Sequence, residues 1–280
     1  MSPSGAARRI LSTAALEFRI ALRNRWVAVA SALMVVFALV IAAAGIGGAQ
    51  GLAVDPLSVT VASLVSLAVY IAPLLALLIS FDAVAGEVER GTLPLQLAYP
   101  LSRGELLLGK LLAQLAALTL AVVAGYAAAG AAAFAAGGAA AAEGLPALWR
   151  LTWTTVLLGA TFLSLGHALS CASRRPSGAA AMAIGLWLVA IVLYDLGLLA
   201  AIVADDGGAF TTRILPWALA LNPADAFRIH NLAASGAVEA ASGLSGAAAS
   251  IAAWKPLAAL LAWPVAAAGL ARLAFARVQP

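Results

Sequence analysis

Phe81 to Lys110 reads FDAVAGEVERGTLPLQLAYPLSRGELLLGK, and it is the one stretch of the 280 residues in which charge is dense. Asp82, Glu87 and Glu89 precede Arg90-Gly91-Thr92. An apolar stretch Leu93 to Tyr99 follows, then Pro100-Leu101-Ser102-Arg103. On either side lie apolar runs long enough to cross a bilayer core, which takes about 20 residues per helix. Working outward, six such runs are found: Trp26–Ile46, Val61–Ser80, Leu106–Gly137, Leu148–Ser170, Ala179–Val203 and Pro256–Phe275. With 64% hydrophobic and 10% charged residues, the composition is that of an integral membrane protein. Strict alternation is absent, so the spans are expected to be helices and not barrel strands. The expected fold is an all-α membrane protein of six transmembrane helices.

Orientation follows from the cations, because Lys and Arg near helix ends favour the cytoplasmic side. Arg8, Arg9, Arg19, Arg23, Arg25, Arg90, Arg103, Lys110, Arg174, Arg175, Arg272 and Arg277 fall on one side, twelve of the sixteen. Only Arg150, Arg213, Arg228 and Lys255 fall on the other. Both termini are therefore expected in the cytoplasm. The net charge of +4 suits an anionic inner leaflet of membrane lipids and gives no reason to expect nucleic acid. The single cysteine, Cys171, excludes an intramolecular disulfide, and the Arg-rich start has no cleavable-signal pattern.

Residues 1–25 place Leu11, Ala15, Phe18 and Leu22 at helical spacing with Arg9, Arg19 and Arg23 beside them, which predicts an amphipathic helix on the inner membrane surface. Residues 26–280 form the six-span domain. Within it, 81–105 reads as a cytoplasmic loop: the helix leaving the membrane breaks near Gly91, forms a short amphipathic turn and breaks again at Pro100. The outer loop 204–254 contains Ile214 to Leu221, apolar but too short to cross, followed by Asn222-Pro223-Ala224-Asp225; an interfacial or re-entrant element is expected there. Ala233 to Ala253 reads as a low-complexity connector, and the Ala/Gly run Ala127–Ala142 as a site of close helix packing.

The order Gly-Glu-x-Glu-x-Gly-Thr-Leu, then Tyr-Pro-x-Ser-Arg, then Leu-Gly-Lys resembles the first cytoplasmic loop of ABC-2-type exporter permeases. A closer resemblance, over nearly the whole chain, is to the NosY-type permeases, membrane subunits of the complexes that mature nitrous oxide reductase. It rests on Leu22 to Trp26, Asp82-x-x-x-Gly86-Glu87, Tyr99-Pro100, Leu108-Gly109-Lys110, Tyr194-Asp195-Leu196, Leu215-Pro216-Trp217 and Leu221 to Asp225. Pro94 departs from that pattern and is expected to shift the start of the coupling helix. The resemblance implies a bacterial inner-membrane homodimer with two cytoplasmic ATPase subunits and a periplasmic accessory protein of the NosD type. ATP and Mg would be bound by the ATPase, with no cofactor in this chain. Asp82, Glu87, Glu89, Arg90, Gly91, Thr92, Tyr99, Pro100, Arg103 and Lys110 would then couple to the ATPase. Arg174 and Arg175 are either a second coupling contact or positive-inside anchors.

Asp195, beside Tyr194, lies within the fifth span and must face protein, water or a partner, because a lipid-facing carboxylate costs a few kcal/mol. It is a conformational latch, part of a central cavity, or a protonated or hydrogen-bonded helix contact. His167 and Cys171, four apart, share a helix face and are two candidate ligands of an incomplete soft-metal site; packing explains both as well. Pro216, Trp217, Asn222, Pro223, Asp225 and Arg228, with His230, are candidates for docking an outer partner, and Asn222 or Asp225 is a candidate helix cap. No nucleophile with a base and no phosphate-binding loop is present, so the chain is not expected to be an enzyme and its energy must come from another chain. Two functions remain open: moving a species through the dimer, or passing ATP-driven motion to an outer partner with no cargo crossing.

Overall fold

The computed structural model describes residues 3–23, 25–49, 55–232, 252 and 254–279, and among these every regular element is helical. In chain order they are α1 (Pro3–Leu22), α2 (Arg25–Ala49), α3 (Pro56–Ser80), the short α4 (Ala85–Glu89) and α5 (Leu93–Leu97), α6 (Arg103–Gly137) and α7 (Leu145–Ala172). Then come α8 (Pro176–Trp187), continued through a π-helical turn at Leu188–Leu193 into α9 (Tyr194–Asp205), the pair α10 (Leu215–Leu221) and α11 (Pro223–Leu232), and α12 (Trp254–Ala276). Five stretches are long and apolar enough to cross a membrane, and the longest, Arg103–Ala172, reverses at a 3-10 turn over Gly138–Gly144. Its two arms run antiparallel. Gly130 abuts Leu148, the Tyr126 and Thr155 hydroxyls are 3.1 Å apart, and Gly159 abuts Leu118. That stretch is therefore two spans, and the six expected from the sequence are present.

Between helices in lipid there is little hydrophobic gain, so close packing and internal hydrogen bonds hold the bundle. Ala129, Gly130, Ala133 and Ala141 in the Ala/Gly run are buried, as expected for close approach. Buried hydroxyls of Ser80, Thr155 and Ser164 donate to the carbonyl four residues earlier, which satisfies them without water. Asp55 caps α3 by accepting from the Ser58 N–H at 2.9 Å, with Pro56 in the first turn. Pro73 interrupts the α3 ladder, and the Tyr70 carbonyl in that turn accepts the Trp187 indole N–H at 3.0 Å.

One expectation needs correction. The helix of the second span ends at Ser80, eleven residues before the expected break near Gly91, and the loop restarts as α4. In α1 the polar residues Arg9, Thr13 and Glu17 face α6, while Leu11, Leu16, Ile20 and Leu22 are exposed. The helix is amphipathic, and its apolar side is the exposed one. The connector Ala233–Ala253 lies outside the described residues except for Ala252.

At the end opposite the Phe81–Lys110 loop, α10 and α11 form a re-entrant hairpin whose turn is Asn222-Pro223. Asn222 Nδ2 donates to the Ala190 carbonyl at 2.9 Å, and Ala190 is about 20 Å along the fifth span from Pro176. The hairpin thus reaches membrane depth, as the short apolar stretch suggested.

Candidate functional site

The loop between α3 and α6 is built on buried anchors. The N–H groups of Val84 and Ala85, free at the start of α4, both donate at 2.9 Å to Oγ of Ser170, a fully buried residue near the end of α7. After α4 the chain reverses at Gly91, whose φ of +66° is a left-handed conformation that other residues adopt at a cost. The Thr92 N–H returns to the Glu87 carbonyl at 2.9 Å. Pro94 occupies the first turn of α5, where a missing N–H leaves no bond unmade. Leu93 is buried, whereas Leu95 of α5 and Tyr99, just beyond its end, are 67% and 68% exposed, so the two face outward next to Pro100.

One cation joins the elements beneath. Lys110 Nζ, on α6, contacts Glu87 Oε1 of α4 at 2.5 Å and Glu17 Oε1 of α1 at 2.8 Å. Gln96 Nε2, on α5, donates to the same Glu87 oxygen at 2.7 Å. Lys110 and Glu87 are 3% and 8% exposed. A buried charge is tolerated only when paired and hydrogen-bonded, and here the pairing requires four helices to keep their places. One turn earlier on α6, Arg9 pairs with Glu105. Glu105 also completes a capping box: its backbone N–H donates to Ser102 Oγ at 3.2 Å, and the Ser102 N–H donates to Glu105 Oε2 at 2.8 Å. The hydrogen bond that Arg9 donates to the Glu105 carboxylate raises the Arg9 pKa above its ordinary value. Between the two ion pairs Gly109 lets α1 approach; a Cβ there would lie 2.6 Å from the Thr13 side chain.

Against α4, α5 and α6 the last turns of α1 leave a cleft of about 160 Å³ lined by Glu17, Asp82, Glu87, Gln96, Lys110 and Gln114, among others. Asp82 Oδ1, Glu87 Oε2, Gln96 Oε1 and Gln114 Oε1 are buried there without a hydrogen-bond partner.

Of the residues singled out in the sequence, Asp82, Glu87, Arg90 and Lys110 are brought to this cleft, with Asp82 and Arg90 3.5 Å apart at its rim. Glu89, Arg90, Gly91, Tyr99 and Pro100 are exposed on the loop. Glu87 and Lys110, taken as contact residues, lie inside, so any part they play in coupling is one of holding the loop. Arg103 turns to the end of α12, donating to the Phe275 and Val278 carbonyls at 3.0 and 2.7 Å. Arg174 and Arg175 are exposed on the turn between α7 and α8 and take no part in the ion network. Arg9, Glu17, Gln96, Glu105 and Ser170 were missed. Ser-x-x-Glu at 102–105 is a readable cap signature, and Glu17 is the sole acidic residue before Asp55.

A second cluster ties the fifth span to the re-entrant hairpin. Arg228 Nη2 contacts Asp195 Oδ2 at 2.8 Å and its Nη1 contacts Asp225 Oδ1 at 3.1 Å, while the Tyr194 hydroxyl donates to the Ala218 carbonyl at 2.8 Å. Asp195 therefore has a protein partner. Asn222 caps α11, its Oδ1 accepting from the Ala224 N–H at 2.9 Å. Asn222, Pro223 and Asp225 are buried within the hairpin, where Asn222 and Asp225 bond to neighbouring residues. Trp217 is 56% exposed, with Lys255 Nζ 4.1 Å above its ring, and Pro216 is half-buried. His167 is fully buried with Nδ1 2.9 Å from the Leu163 carbonyl. Cys171 packs against a small apolar cluster that includes Val84 and Leu93. No group of three or more His, Cys, Asp or Glu side chains suited to a metal is found among the described residues.

The family model described as ABC-2 family transporter protein matches residues 11–279. A protein described as "Probable ABC transporter permease protein NosY" from Pseudomonas aeruginosa is 41% identical over 263 residues, covering 91% of this chain and 94% of that one. A protein of the same description from Stutzerimonas stutzeri is 38% identical over 230 residues, covering 80% and 81%.

Proposed function

Because the chain belongs to the ABC-2 family of transporter permeases, we propose that it is the membrane subunit through which a separate ATPase, binding ATP and Mg, works on copper-site maturation of nitrous oxide reductase. The likeness to two permeases described as NosY supports the pathway. The observation that carries the coupling role is the Lys110 joint. A force on exposed Leu95 and Tyr99 passes through α5 and Gln96 to Glu87 and Lys110, and so into α1 and α6 together. In this reading the loop end and both termini are cytoplasmic, a second copy completes the membrane part, and an accessory protein of the NosD type meets the hairpin end. Replacing Leu95 and Tyr99 by Ser removes the outward apolar pair without touching a buried contact. In a reconstituted complex the double variant is expected to lose permease-dependent stimulation of ATP hydrolysis and to leave the reductase short of copper. Full stimulation by that variant would refute the assignment.

A second reading, in which motion is transmitted and nothing crosses, is supported by one observation. Asp195, Arg228 and Asp225 in the half away from the loop pair with each other, and no group of His, Cys, Asp or Glu suited to a metal is found among the described residues. Sealed proteoliposomes containing the whole complex separate the two readings. ATP-dependent accumulation of copper or sulfur species requires transport; nucleotide-dependent motion of a label on the outer partner, without accumulation of the species tested, favours the transmitter.

A further inference from the structure

A groove of about 390 Å³ opens on the surface of the bundle where the start of α6 passes the end of α12. That volume lies in the range of clefts that hold small molecules, roughly 300–1,000 Å³. Two glycines keep it open. A Cβ added at Gly104 or at Gly269 would meet nothing within 4 Å. Arg103 donates to the Phe275 and Val278 carbonyls, so α12 ends beside the first turn of α6 and the two helices run antiparallel.

The two ends of the groove differ in chemistry. Toward the Phe81–Lys110 loop its lining is Ser102, Gly104, Glu105 and Arg272. The deeper part is apolar, formed by Leu107, Leu108 and Leu111 of α6 and Ala268 of α12, and extends roughly 10 Å along α6 from Gly104. Glu105 is already committed: one oxygen pairs with Arg9 and the other accepts from the Ser102 N–H. Arg272 is exposed and makes no ion pair or hydrogen bond among the described residues. Arg103 meets carbonyls and no carboxylate. Three cations, Arg9, Arg103 and Arg272, thus stand against one carboxylate at this end, and an apolar trough leads away from them. A charged end and an apolar end on one groove call for an amphiphile with an anionic head. By contrast, the groove between α1 and α6, lined by Phe18, Leu112, Leu120 and Val123 among others, has no charged residue in its lining and offers such a head nothing.

We infer that the groove between α6 and α12 holds one anionic phospholipid of the leaflet at the loop end, with its phosphate at Arg272 and an acyl chain along Leu108, Leu111 and Ala268. A guanidinium carries only donors and makes charge-assisted bonds to phosphate oxygens. Ser102 Oγ accepts from the Glu105 N–H, and its own hydroxyl proton remains to donate. Seated there, the lipid bridges the first turns of α6, where the loop is braced, to the last turns of α12.

The test is native mass spectrometry of the full-length permease in micelles, with phosphatidylglycerol or phosphatidylcholine of the same acyl chains added. Wild type is expected to retain one phosphatidylglycerol per chain about tenfold more tightly than phosphatidylcholine. Arg272→Gln is expected to bring that ratio to about 1, because the charge that selects the head is gone. Arg277→Gln removes the same charge from an exposed residue outside the lining and is expected to leave the ratio as it was. Gly269→Leu fills the groove and is expected to lose the retained lipid of either kind. Thermal unfolding checks that each variant is folded, and Arg272→Gln, at an exposed side chain, tests the site by itself if Gly269→Leu does not fold. Equal retention of the two lipids by wild type, or phosphatidylglycerol still held tightly by folded Gly269→Leu, overturns the assignment. Equal weakening by Arg272→Gln and Arg277→Gln traces the preference to general surface charge and overturns it as well. Inorganic phosphate that displaces the lipid makes the groove a site for a free anion, which also overturns it.

Discussion

Lys110 is the residue on which the loop depends. It is the cation that faces both Glu87 and Glu17, and all three lie largely out of water. Lys110→Met keeps the stem and removes the charge, leaving two carboxylates uncompensated. The expected loss is about 3–5 kcal/mol, read from chemical unfolding in micelles. Adding Glu87→Gln and Glu17→Gln is expected to recover most of it, because the cost lies in the orphaned charges more than in the lost pair. Gly91 acts through the backbone alone. Its φ is +66° and an added Cβ meets nothing within 4 Å, so Gly91→Ala is expected to cost roughly 1–2 kcal/mol from conformation without any clash. The angle between α4 and α5 is then the property at risk, and permease-stimulated ATP hydrolysis is its readout.

Among the elements, α1 and α6 are held side by side at Gly109. Gly109→Val places branched methyls against Thr13 and is expected to destabilise by about 1–3 kcal/mol, with α1 freed to limited proteolysis while the six spans stay protected. How far these elements were legible depends on the signal each one sends. The spans were readable because about 20 apolar residues in a row have few other uses. The end of α3 was not: Phe81, Ala83 and Val84 continue an apolar helical pattern, and what stops the helix is Ser170, far along the chain, taking the N–H groups of Val84 and Ala85. The amphipathic stripe of α1 was legible from its spacing, but not that Arg9 and Glu17 turn to partners on α6, because those partners lie some ninety positions away. The burial of Glu87 was not legible, because its partner Lys110 stands 23 positions later on another helix, a pairing that no helical spacing encodes. Asp195 was legible as a residue needing a partner, though not as one whose partner is Arg228 on a re-entrant hairpin.

On the scale of the whole molecule, the fifth span is the least embedded. Few of its residues are buried, and the Asp195, Tyr194 and Ala190 contacts with α10 and α11 hold the half away from the Phe81–Lys110 loop. Arg228→Leu leaves Asp195 and Asp225 facing each other without a cation. It is expected to cost about 3–5 kcal/mol and to raise the labelling rate of a cysteine placed at Leu193, a readout that a purely local defect in α11 would not move. The loop end, by contrast, is cross-braced. Between the two ends runs α6, 35 residues without a proline, about 52 Å long at 1.5 Å per residue. Its near end is gripped at Ser102, Glu105 and Lys110, and its far end at Gly137 touches Pro56, the first residue of α3. A rod of that length is a gear as well as a strut: tilting it by about 5° at the braced end sweeps the far end through about 4–5 Å, close to one helical turn. The start of α3 lies in the path of that sweep. Angular play too small to break any ion pair beneath the loop becomes a displacement of whole-residue size on the opposite side of the membrane.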